Sequence, residues 1–81
     1  MIEAPRPRRL SRTQLVEMLA ESLGAEKASQ VVAEATARVG ITANEYDREQ
    51  ALRLLEAMTM EPGLVGVVAR FAKARVIFAL K

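Results

Sequence analysis

Residues 61–81, EPGLVGVVARFAKARVIFALK, decide how the chain is read, because they are apolar around most of a helical circumference yet carry Arg70, Lys73 and Arg75 in their middle. A membrane span fails on magnitude. Each cation near the bilayer centre would cost about 2.5–3.5 kcal/mol, more than the surrounding Val, Ala and Phe return. A helix lying in the membrane interface fits poorly as well, since Arg75 falls on the apolar side. The segment is therefore expected to be a helix enclosed by protein, either its own domain or a partner.

On a helical wheel, Leu64, Val67, Val68, Phe71, Ala72, Phe78 and Ala79 gather on one face, which is expected to be the main core stripe. Val65, Ala69, Val76 and Leu80 widen the apolar arc beyond what one stripe needs. Arg75 sits inside that arc and is expected to form a buried ion pair with an acid such as Glu17, Glu21 or Glu56, because an unpaired buried charge is too costly.

The rest of the chain supplies helix boundaries. Ser11 and Gln14 have capping-box spacing, and Leu10 and Leu15 have the spacing of a hydrophobic staple. A helix is predicted from Ser11 to Leu23, stopped by Gly24. Ala28, Val31, Val32, Ala35 and Val39 form the stripe of a second helix over 25–39, which Gly40 ends. Thr42 with Glu45, and Ile41 with Tyr46, suggest a third helix over 42–60, although Asp47 with Gln50 offers a later start. Pro62 suits the first position of a fourth helix over 62–80. No segment alternates like a half-buried strand, and no repeat of fixed period is found. The expected fold is all-α: a compact bundle or orthogonal array of about four short helices over 11–81, preceded by a disordered basic arm over 1–10.

Composition narrows function more than it defines it. The 81 residues include no Cys and no His, which removes disulfides, thiolate and imidazole metal sites and His-dependent catalysis. Glu45, Asp47 and Glu49 read as acids favoured in a first helical turn. The chain is expected to be non-catalytic and to need no cofactor or metal. Nothing after the Arg- and Pro-rich start resembles a signal peptide, so a cytoplasmic location is the default.

The net charge of +2 is uneven: +3 over residues 1–12, −5 over 13–61 and +4 over 62–81. Arg6, Arg8, Arg9, Arg12, Arg70 and Lys73 form a candidate basic patch. The pair of helices around Gly24 resembles a helix-turn-helix element, but its second helix would turn Glu26 and Glu34 toward phosphates. Nucleic-acid binding is thus the secondary expectation. The primary one is a protein-protein interaction or oligomerisation module whose C-terminal helix, through Val65, Phe71, Val76, Phe78 and Leu80, meets a protein partner, first of all a second copy.

Overall fold

Ser11 and Asp47 each close a short extended triplet and open a helix, and these two junctions organise the molecule. The computed structural model describes residues 9–79. The fold is all-α, with helices α1 (Arg12–Leu23), α2 (Ala25–Val39), α3 (Arg48–Thr59) and α4 (Leu64–Ala79), plus two short strands, β1 (Arg9–Ser11) and β2 (Glu45–Asp47).

Both capping boxes are complete. Ser11 Oγ accepts from the Gln14 backbone N–H at 3.0 Å, and the Ser11 N–H donates to Gln14 Oε1 at 2.9 Å. Asp47 and Gln50 make the same reciprocal pair at 2.8 and 3.0 Å. The residues leading into the caps pair with each other as an antiparallel ribbon, Arg9 with Asp47, Leu10 with Tyr46 and Ser11 with Glu45. The Arg12 N–H donates to the Asn44 carbonyl at 2.8 Å and extends the ribbon by one bond.

Four expectations change here. Three-residue strands are too short to show alternation, which is why the ribbon was invisible to periodicity. Its presence orders Arg9 and Leu10, so the expected disordered arm does not reach residue 10; residues 1–8 lie outside the described residues. The Thr42 start of the third helix gives way to Asp47, because Glu45 and Tyr46 are committed to β2. Pro62 lies in a bend, and Gly63 at φ 73° precedes α4, which therefore begins at Leu64.

The ribbon also relates two halves that no single period connects. A shift of 36 residues carries Leu10 onto Tyr46, the central pair of the ribbon, and α1 onto α3 from first residue to last. A shift of 37 carries residues 35–39, ATARV, onto residues 72–76, AKARV. The antiparallel pairing of equivalent strands makes the relation a local two-fold: α1 packs on α2 and α3 on α4 within halves, while α2 meets α3 and α1 meets α4 between them.

The core lies where these pairs converge. Leu15, Leu19, Val31, Val32, Leu54, Leu55, Met58, Val68 and Val76 are buried, together with Tyr46 and the alanines at 28, 35, 51, 69 and 72. Gly66 is buried as well, because the α3–α4 turn folds back over the first turn of α4. A Cβ there would collide with the Glu61 carbonyl oxygen and lie 3.2 Å from that of Thr59. The Gly66→Ala substitution should cost about 1–3 kcal/mol through this collision. Its thermal midpoint should fall by about 4–8 °C per kcal/mol. An unchanged midpoint would contradict so close a turn.

Tyr46 is fully buried, and its hydroxyl has no hydrogen-bond partner among the described residues. Burial raises the phenol pKa above its ordinary value of 10.0, against the opposing charge of Arg12. The folded state therefore holds the neutral form while the unfolded chain ionises near pH 10, so stability should fall as pH rises beyond about 10. Tyr46→Phe should abolish this alkaline loss. At neutral pH it should raise stability by about 1 kcal/mol by removing an unpaired buried hydroxyl. A destabilised Phe variant in denaturant titrations would show that the hydroxyl has a partner.

Candidate protein interaction surface

Helix α4 has two apolar faces rather than one wide arc. Val68, Ala69, Ala72 and Val76 are buried on the inner face, with Val65 packed at its edge. Leu64, Val67, Phe71 and Phe78 remain 58%, 49%, 69% and 77% exposed, and Ala74 lies exposed among them. At 3.6 residues per turn the centres of the two faces are about 135° apart. The outer residues follow 3-4-3-4 spacing, the seam one helix offers to another.

The two-fold relation supplies an internal comparison. Shifted by 37 residues, Leu64, Val67 and Phe71 correspond to Lys27, Gln30 and Glu34 of α2, all exposed. The same position in the same fold is therefore met by ordinary polar residues in one half. At the Leu64, Val67 and Phe71 positions, then, the fold accepts polar side chains, whereas Phe78 corresponds to Ile41, which packs against the core. Its two Phe rings alone leave on the order of 300 Å² of apolar area in water. Leu64 and Val67 extend the patch along the helix, and exposed apolar patches of a few hundred Å² are often functional.

Each expected site residue can now be placed. Phe71 and Phe78 are on the exposed seam. Val76 is 2% exposed and belongs to the core, so it cannot be a partner-facing residue, and Val65 is half-buried against that core. Leu80 lies outside the described residues. Arg75 is not buried: its guanidinium pairs with Glu21 at 3.5 Å, both side chains being largely exposed. A pair in that setting contributes little, about 0–1 kcal/mol. The related Arg38 pairs with Glu61 at 3.3 Å, so each half ties its second helix to the other half.

The basic residues do not act as a free cluster. Arg9 lies 3.9 Å from Glu45 and Lys73 is paired with Glu56, while Arg12 is half-buried at the start of α1. Arg70 is exposed on α4, and Arg6 and Arg8 lie outside the described residues. Among the described residues no cluster of acids suits a metal ion, and no helix is long and apolar enough to cross a membrane.

Hydrophobicity alone places the two Phe rings inward, whereas small side chains fill the inner face of α4 and both rings are exposed. The near-identity of 35–39 and 72–76 is the sequence signal of the true inner face, since it aligns Ala72 and Val76 with the stripe residues Ala35 and Val39. No protein-family model, curated protein or solved structure is significantly similar to the chain.

The two faces should respond oppositely to polar substitution. Phe71→Ser should change folding stability by no more than about 0.5 kcal/mol, the usual range at the surface. Val76→Ser should cost at least about 2 kcal/mol by opening a void and burying a hydroxyl. Equal losses in chemical denaturation would contradict the assignment of faces.

Proposed function

We propose that this chain is a non-catalytic protein-protein interaction or oligomerisation module, with the outer seam of α4 as its recognition element. The observation that carries this reading is the contrast between Leu64, Val67 and Phe71 on α4 and Lys27, Gln30 and Glu34 at the related positions of α2. Surplus apolar area at a position the fold can fill with polar groups is supported by a partner, not by packing.

Nucleic-acid binding is less well supported. The exposed face of α2 carries Glu26 and Glu34 beside Lys27 and Arg38, which leaves that helix without positive excess toward phosphates. Arg9 and Lys73 already face carboxylates within the fold.

Phe71→Glu separates the alternatives. The variant should stay folded, and neither it nor the native chain should shift duplex DNA at moderate salt or float with vesicles rich in anionic lipid. Flotation of the native chain that Phe71→Glu abolishes would replace the protein partner with a lipid surface. A gel shift that persists in the variant would favour nucleic acid.

A further inference from the structure

We infer that the outer seam of α4 is occupied by α4 of a second copy, packed antiparallel about a two-fold axis between Phe71 and Ala74. This rests on the protein-interaction reading and names its partner and register. Three features of the seam carry it: the order of large and small residues, the placement of charge, and the area available.

In an antiparallel pair centred between residues 71 and 74, Phe71 lies over Ala74 of the second copy, and Phe78 lies over Val67 of the second copy. By symmetry Ala74 and Val67 receive the second copy's rings. Each of these four central layers then joins a large side chain to a smaller one, the pattern that fills space between two helices without voids or strain. A two-fold contact is self-complementary in this sense, and one seam suffices for both partners.

Charge selects the same register. Arg70 and Arg75 flank the seam, and α4 carries no acid. A parallel pair would set Phe71 on Phe71 and place Arg70 against Arg75 of the second copy, since flanking positions of this kind face each other in parallel pairs. An antiparallel pair centred between Val67 and Phe71 would place the two Arg70 side chains opposite each other. Both arrangements oppose like charges, which disfavours them. In the register centred between Phe71 and Ala74, Arg70 lies beside Ile77 of the second copy. Ile77 is 39% exposed, and the aliphatic stem of Arg70 can cover it while the guanidinium stays in water.

The area available places the contact at the weak end of specific interfaces. Burying roughly 500 Å² of seam and flank on each copy gives a total near 1,000 Å², the lower limit for a specific interface. The dimer should therefore be reversible and of micromolar strength.

Sedimentation equilibrium over a wide concentration range tests the inference, using the native chain, Phe71→Ala, Ala74→Phe and the double exchange Phe71→Ala/Ala74→Phe. Both positions lie outside the core, and thermal midpoints within a few degrees of the native value verify that each chain folds. The native chain should dimerise at micromolar concentration. Each single change should weaken the dimer about tenfold or more, one by leaving a void and the other by placing two rings in a layer. The double exchange keeps one ring and one methyl in each central layer, so it should recover to within about threefold of native. Failure of the double exchange to recover, with dimers otherwise present, would overturn the register. A native chain that stays monomeric into the high micromolar range would overturn the second copy as occupant. If that monomer also ignored vesicles and DNA, the protein-interaction reading would stand with a different partner.

Discussion

The backbone pairing of Arg9–Ser11 with Glu45–Asp47 is the constraint on which the other elements depend. A ribbon of three residues per strand has little stability of its own. Here it is held because its central pair, Leu10 and Tyr46, is continuous with the core, and because each strand runs into a complete capping box. Fixing the two caps side by side fixes the starts of α1 and α3. Gly24 then reverses the chain in one residue, its N–H bonding the Ala20 carbonyl and its carbonyl accepting from Ala28. The longer turn before α4 does the same work through Gly63 and Gly66. Two hairpins result, related by the ribbon and bridged at the surface by the exposed pairs Arg38–Glu61 and Arg75–Glu21.

Close packing explains why α4 is apolar on two sides. Its inner face is built from Val and Ala, and the buried Gly66 at its start leaves no room for a side chain beneath the α3–α4 turn. A Phe ring on that face would force the hairpin apart. The rings lie outward, and around Phe71 the related positions of α2 carry Lys, Gln and Glu. Exposed rings at regular helical spacing invite association, so their presence on one half alone is a chemical difference between two structurally similar hairpins. That difference is the basis for assigning recognition to α4.

Helix number, the Ser11 cap, the Gly24 and Gly40 stops and the whole of α2 were legible in the sequence, because capping spacing and glycine punctuation are local signals. The ribbon was not, since strand pairing between residues 10 and 46 is long-range and each strand is shorter than any periodicity. The inner face of α4 was misjudged for a related reason. A wheel ranks residues by hydrophobicity, whereas the distance between two helices is set by the size of what lies between them. Ala69, Ala72 and Val76 won that position because they are small. Arg75 was expected in a buried ion pair, but its long stem carries the charge to the surface, so its pair with Glu21 is exposed.

The central claim is that Phe71 and Phe78 lie outside the core, free in the isolated chain and covered only by a partner. They are the only two phenylalanines in the sequence, so fluorinated phenylalanine incorporated throughout reports on both rings and nothing else. The most direct measurement is the change in their fluorine resonances between light and heavy water, followed across a dilution series. Full solvent sensitivity of both rings at high dilution, decreasing as concentration rises, is the expected result. Two rings insensitive to solvent even at the highest dilution would place them in the core and contradict the assignment of the faces of α4.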